Sequence, residues 1–112
     1  DANGNNSIST GIKGSVMVPF DCIIQSWTIL SDVSGSTSID VWSDMYGNYP
    51  STSGDTITGT EKITLTNQQK NQDLTLTSWA TSLNLGSILT FNVESASSLK
   101  KVYVMINVIK LN

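Results

Sequence analysis

Apolar and polar residues alternate with a period of two along most of this chain, and apolar spacing typical of helices is nearly absent. An extended strand turns successive side chains to opposite faces, so this alternation is typical of β-strands with one buried face. Ser and Thr make up 30 of the 112 residues, which suits strands and turns better than helices. The sequence therefore predicts one all-β domain.

Seven to eight strands can be placed between turn signals. "GIKGSVMVPF" predicts an edge strand that Pro19 closes, because proline cannot donate to a sheet. "CIIQSWTILSDV" and "SIDVWSD" predict two strands joined by a hairpin at Gly35. Further strands are expected in "DTITGTEKITLT", in "DLTLTSW" after the polar connection "NQQKNQ", and in "LNLGSILTFNVES" and "KKVYVMINVIKL". This predicts an antiparallel jelly-roll-like β-sandwich at residues 11–112, after a linker end at residues 1–10; a seven-stranded immunoglobulin-like order fits the same pattern.

The last predicted strand is apolar on both faces. Val102, Val104, Ile106 and Val108 occupy one side, while Tyr103, Met105, Ile109 and Leu111 occupy the other. A sandwich strand normally shows its second face to water. We therefore expect another segment or another subunit to cover Tyr103, Met105 and Ile109, and we predict a homo-oligomer with these residues in its interface.

The residues needed for common catalytic chemistry are missing. The chain has no His and a single Cys, Cys22, which excludes Ser-His-Asp and Cys-His catalysis and the usual zinc sites. Carboxylate-pair catalysis has candidates, namely Asp40, Asp44, Asp55, Glu61, Asp73 and Glu94, which we interpret as solvated surface groups. Asp40 and Asp44 on one strand face would be about 13 Å apart, too far for either glycosidase geometry. No clustering typical of a calcium loop is present, so we predict no enzyme, metal or cofactor.

Charge and hydropathy exclude further classes. A net charge of -3 with scattered Lys residues offers no basic stripe for nucleic acid. No apolar run is long enough to insert into a membrane, and no signal peptide is visible. Cys22, which lies beside two isoleucines, is predicted to be a buried hydrophobic residue. Because the sequence opens at Asp1 with linker-like residues, we expect a piece of a longer protein.

Aromatic residues concentrate in "IDVWSDMYGNYPST", although aromatics make up only 7% of the chain. Trp42, Asp44, Tyr46, Asn48 and Tyr49 together offer rings that stack on sugar C–H faces and polar groups that pair with hydroxyls. The alternative is that Trp42 or Tyr46 closes the core and that Tyr49 only stiffens the loop. Trp79 in "LTSWATSLNLG" is predicted to be a core or corner residue.

Two long blocks carry a resemblance to a known family. "TGIKGSVMVPFDCIIQSWTILSDVSGSTSIDVWSDMYGNYPST" and "NQQKNQDLTLTSWATSLNLGSILTFNVESASSLKKVYVMINVIK" resemble a module of structural proteins of tailed bacteriophages and prophages, from about Thr10 to Lys110. Two positions depart from its pattern. Ser87 replaces the Asp of a Gly-Asp pair, and Ser78 replaces a Gly before the Trp.

The resemblance implies a domain of a tail fibre, tail spike or receptor-binding protein in the virion. Such appendages are commonly homotrimers that bind the host surface, frequently its polysaccharide, and they join an upstream fibre segment or other virion proteins. We therefore predict a non-catalytic, trimeric domain that attaches to a bacterial surface glycan. The alternatives are a purely structural virion module for trimerisation, capsid decoration or baseplate attachment, and a carbohydrate-binding module of a secreted bacterial protein.

Overall fold

The computed structural model describes residues 7–112. Its strands are β1 (Gly11–Met17), β2 (Cys22–Asp44), β3 (Ile63–Asp73), β4 (Ser82–Leu83), β5 (Ile88–Ser97) and β6 (Val102–Lys110). Two 3₁₀ turns, Tyr46–Asn48 and Ser53–Asp55, lie between β2 and β3. The described residues contain no α-helix, so the all-β prediction is confirmed.

β2 is the centre of one antiparallel six-stranded sheet. Its first half pairs with β6, and its second half pairs with β5. β3 pairs with both halves, β1 extends the sheet from β5, and β4 pairs briefly with the start of β2. β6 does not pair with β1 or β5, yet its side chains line a common apolar cleft with theirs. The sheet is therefore folded on itself in a sandwich-like arrangement.

Gly35 lies inside β2 and not at a hairpin turn, which corrects the prediction of two separate strands here. A Cβ atom at this position would lie 2.5 Å from Leu99 Cδ2 and 2.7 Å from the Ser97 carbonyl oxygen. The glycine therefore allows the fully buried Leu99 to approach the backbone. The pairing of β2 with β3 shifts register on both sides of Gly35, so the strand bends without reversing. Because these two predicted strands form the single strand β2, the structure has fewer strands, six, than the seven to eight predicted.

Two other segments also differ from the prediction. "NQQKNQ" is part of β3 and not a connection, because it pairs along β2 and turns most of its polar side chains to solvent. "DLTLTSW" is not a strand, since β3 ends at Asp73. Its backbone bonds to a side chain instead of a neighbouring strand: the N–H groups of Thr77, at 2.7 Å, and of Ser78 donate to Glu61 Oε1.

The core lies between the two halves of the folded sheet. Its buried side chains come from every strand except β1 and β6, and Val104, Ile106 and Val108 of β6 pack against its side. Cys22 is fully buried as predicted, and burial raises the pKa of its thiol. Ile8, within the predicted linker end, is also buried and its N–H donates to the Leu99 carbonyl over 2.8 Å, while residues 1–6 of that segment lie outside the described residues.

Trp79, predicted to be a core or corner residue, is buried in the core. Its Nε1 donates a 2.7 Å hydrogen bond to the backbone carbonyl of Glu61. This bond fixes the segment after β3 against the turn that precedes β3.

Candidate functional site

The aromatic loop, defined here as residues 45–55, follows directly from the end of β2. Short backbone bonds fold its first part: Asn48 N–H donates to the Met45 carbonyl over 3.0 Å, and Tyr49 N–H to the Tyr46 carbonyl over 3.3 Å. Its second part is fixed by a capping box, in which Asp55 Oδ2 accepts from Thr52 N–H at 2.9 Å and Thr52 Oγ1 accepts from Gly54 N–H at 3.4 Å. Local hydrogen bonds therefore hold both parts of the loop.

Two tyrosines and an asparagine of the aromatic loop face solvent. Tyr46 is 81% exposed and Tyr49 is 47% exposed, and Asn48 between them is exposed as well. Met45 adds an apolar surface beside them. Tyr46 does not close the core, so the surface predicted for ring stacking is present at these positions.

Trp42 does not belong to that surface. Its side chain is only 7% exposed, and its Nε1 donates a 3.0 Å hydrogen bond to Asp40 Oδ2. The predicted stacking role of Trp42 is corrected on this ground, because a buried ring cannot stack on a ligand. Its burial agrees with the alternative noted from the sequence, that Trp42 closes the core.

Asp40 is buried and not solvated, which corrects its interpretation as a surface carboxylate. Besides the Trp42 indole, it accepts from the hydroxyls of Thr56 at 2.6 Å and Thr58 at 2.7 Å, and from Val41 N–H at 2.9 Å. Burial opposes its ionisation, but the hydrogen bonds from Thr56, Thr58 and Trp42 hold the pKa of Asp40 below its ordinary value. This buried carboxylate joins β2 to the chain that returns from the loop.

Asp44, predicted to pair with sugar hydroxyls, is half-buried at the end of β2. The adjacent Asp55 carboxyl raises the pKa of Asp44, while the Thr52 N–H and then Asp44 itself lower the pKa of Asp55. Two carboxyl groups in contact disfavour double ionisation. Sequence reasoning did not pair these residues, and their distance apart in the chain gave no signal for it.

Glu61 is a second acidic residue whose carboxylate accepts hydrogen bonds within the fold. Glu61 Oε1 accepts from the Ser78 N–H and hydroxyl and from the Thr77 N–H, and these bonds lower its pKa to about 2. Glu61 also lines an open cleft of about 470 Å³ with Trp27, Lys62, Asn71 and Asp73. No group of three or more Asp, Glu or Cys side chains converges on a metal position within residues 7–112.

The outer face of β6 carries exposed apolar side chains. Tyr103 is 59% exposed, and Met105 and Ile109 are exposed beside it. Leu30 lies opposite Tyr103 on β2 and is exposed too. No described segment pairs with the second edge of β6. The face of Tyr103, Met105 and Ile109, which we predicted to be covered by another segment or subunit, is therefore exposed within residues 7–112.

An apolar cleft separates the edge strands β1 and β6. Two adjoining cavities of about 400 and 320 Å³ form it, and both are lined by Val16, Phe91 and Val104. The side chains of β6 that point inward are therefore only partly covered. Apolar side chains are therefore accessible on both the inner and the outer face of β6.

No helix in the described part of the chain has the length and hydropathy needed to cross a bilayer. No model of a protein family matches the chain, and no curated protein or solved structure was found to match it either.

Proposed function

We propose that this chain is a domain of a virion appendage of a tailed bacteriophage, a tail fibre or receptor-binding tip, that attaches to a bacterial surface glycan without cleaving it. The resemblance from Thr10 to Lys110 supports the virion part of the proposal. The all-β fold agrees with it, and the aromatic loop supports the attachment.

The observation that carries the attachment is the exposure of Tyr46 and Tyr49 on a loop whose two ends are fixed. Tyrosine rings pack against sugar C–H faces, and their ordering costs little side-chain entropy. Asn48 lies between the two tyrosines in the chain, and its exposed side-chain amide offers both a donor and an acceptor to sugar hydroxyls. Trp42 is buried, so the rings that the loop offers are those of Tyr46 and Tyr49.

The test is binding to an array of purified bacterial surface polysaccharides by the chain and by the double variant Tyr46→Ala/Tyr49→Ala. We expect the double variant to lose binding with an unchanged melting temperature, because both rings are on the surface. Leu74→Ala is the control, since it removes an exposed apolar side chain outside both the aromatic loop and β6. Binding that survives in the double variant, or a double variant that does not fold, would contradict the proposal.

A second candidate function is a purely structural virion module. The exposed apolar face of β6 favours it, because a contiguous apolar patch on a small domain marks an interaction surface. On this view the β6 face forms the contact between subunits of a trimer, and no receptor is needed.

Light scattering after size exclusion separates these candidates from a monomeric carbohydrate-binding module. A trimer predicts three times the 12.1 kDa of one chain, and Met105→Lys should reduce that mass to one chain. Leu74→Lys is the control, since it places the same charge at another exposed apolar position. A single-chain mass for the unmodified domain would argue against self-association of the isolated chain and favour the monomeric module.

A further inference from the structure

An open polar cleft of about 470 Å³ lies beside β3 and has one core side chain in its lining. The other lining residues are glycine or polar, and they include Thr60, Glu61 and Asp73. Trp27 is the exception, because it lines the cleft and also belongs to the buried core, with a side chain that is only 3% exposed. It pairs with Asp73 across β2 and β3. The Trp27 side chain therefore lies at the boundary between the core and the cleft.

The indole N–H of Trp27 is buried without a hydrogen-bond partner in residues 7–112. The other two tryptophans differ, since Trp42 Nε1 donates to Asp40 Oδ2 over 3.0 Å and Trp79 Nε1 donates to the Glu61 carbonyl over 2.7 Å. A buried indole N–H normally has an acceptor. The core cluster in which the Trp27 ring packs consists of apolar side chains, so an acceptor for this N–H must come from the cleft.

The carboxylates of the cleft retain oxygens that can accept from a ligand. Glu61 Oε1 accepts from Ser78 and Thr77, and Asp73 Oδ1 accepts from Thr75 N–H over 3.0 Å. These bonds reach one oxygen of each carboxylate and leave Glu61 Oε2 and Asp73 Oδ2 able to accept from a ligand. The cleft therefore combines one unpartnered donor with several free acceptor atoms.

The charge of the cleft narrows the class of ligand. Lys62, the cation of the lining, is held in an ion pair with Glu94 at 2.7 Å, so its charge is already balanced. An anionic ligand would therefore face the carboxylates of Glu61 and Asp73. A metal ion is attracted to carboxylates but cannot accept from the Trp27 N–H. A hydroxyl group both donates and accepts, so it suits both kinds of free group.

We infer that this cleft binds one neutral sugar unit, with the Trp27 N–H donating to a hydroxyl oxygen and with Glu61 and Asp73 accepting from other hydroxyls. The cleft volume lies within the range of small-molecule sites. A single sugar held by a few hydrogen bonds should bind with a dissociation constant on the order of 1 to 10 mM. The inference rests on the proposed glycan attachment only for the source of the sugar, and it adds a contact outside the aromatic loop.

The test is ¹H–¹⁵N NMR of the three indole N–H groups during titration with the methyl α-glycosides of glucose, galactose and mannose. We expect at least one glycoside to shift the Trp27 indole resonance saturably, and we expect glucuronate, which is negatively charged, not to do so. Trp27→Phe identifies the resonance, because that signal disappears. The Trp42 indole is the internal control and should not move, since its N–H already donates to Asp40.

Asp73→Asn tests the acceptor side of the cleft. The amide oxygen can still accept from Thr75 N–H, but the charged acceptor is lost, so the affinity for the responding glycoside should fall by about fivefold to tenfold. Asp32→Asn is the matched control, since it removes an exposed carboxylate outside the cleft and should leave the affinity unchanged. If Asp73→Asn does not fold, Thr60→Ala takes its place, since it removes an exposed hydroxyl from the lining and should also weaken binding.

Three results would overturn the inference: a Trp27 resonance that moves with no neutral glycoside, one that moves with glucuronate alone, and an affinity that these lining variants leave undiminished. A water molecule would then be the partner of the indole N–H. The Tyr46→Ala/Tyr49→Ala variant should keep the shift, because neither tyrosine lines the cleft. A millimolar site releases its ligand in far less than a second, so it does not by itself retain a polysaccharide on a washed array. The array therefore tests the aromatic loop, and the titration tests the cleft.

Discussion

The indole Nε1 of Trp42 and the hydroxyls of Thr56 and Thr58 all donate to the carboxylate of Asp40. The first donor lies on the same strand as Asp40, and the other two lie on the chain returning from the aromatic loop. Asp40 therefore fixes where the loop leaves the sheet and where it comes back. The positions of Tyr46 and Tyr49 depend on this buried carboxylate.

Asp40→Asn should destabilise the domain by about 2–4 kcal/mol, because hydrogen bonds to a charged acceptor are strong and an amide cannot accept from all these donors. Urea unfolding gives the free energy of unfolding. Asp32→Asn, the exposed control, should change it by less than about 0.5 kcal/mol. Equal effects of the two substitutions would mean that the Asp40 hydrogen bonds add nothing to stability.

Gly35→Ala should cost about 2–3 kcal/mol, because the added methyl group collides with Leu99 and with the Ser97 carbonyl oxygen. Gly14→Ala is the matched control, since a Cβ atom there meets nothing within 4 Å. That control should be neutral or slightly stabilising, by up to about 1 kcal/mol. Chemical denaturation of the two variants side by side checks the pair, and equal stabilities would refute the close approach of Leu99.

Glu61 should make stability depend on pH in acid. Bonds from Ser78, first from its N–H and then from its hydroxyl, lower the pKa of Glu61 from 4.5 to about 2 in the folded state. Its contribution is therefore complete above about pH 4.5 and is lost as the pH falls towards 2. The difference in melting temperature between the unmodified chain and Glu61→Gln should shrink over that range. A constant difference from pH 6 down to about 2 would assign the low pKa to another group.

The alternation of apolar residues was sufficient to predict the all-β class, and the isoleucines beside Cys22 indicated that it is buried. It was not sufficient for the path of β2, because glycine serves both turns and close packing. Leu99, whose side chain needs the space at Gly35, is distant in sequence and becomes a neighbour only in the folded chain. Tertiary packing at Gly35 therefore determines that the chain bends within β2 and does not reverse in a turn.

The candidate site, like the fold, was predictable from the sequence only in part. The turn residues around Tyr46, Asn48 and Tyr49 indicated a loop, but the sequence left open whether Tyr46 or Trp42 closes the core. The burial of Trp42 does not follow from the sequence, because the partners of Asp40 arrive from the far side of the loop. Likewise, the contact between Asp44 and Asp55 exists only once the loop has closed.

The pairing of β2 with both β5 and β6 also sets an order of events during synthesis. β2 leaves the ribosome early, but the strands that complete one of its edges are made last, and β6 follows all the others. Until then, β2 presents an open edge over most of its 23 residues. The sheet therefore closes only after residues 102–110 have emerged, so the domain must complete its folding after it has been translated.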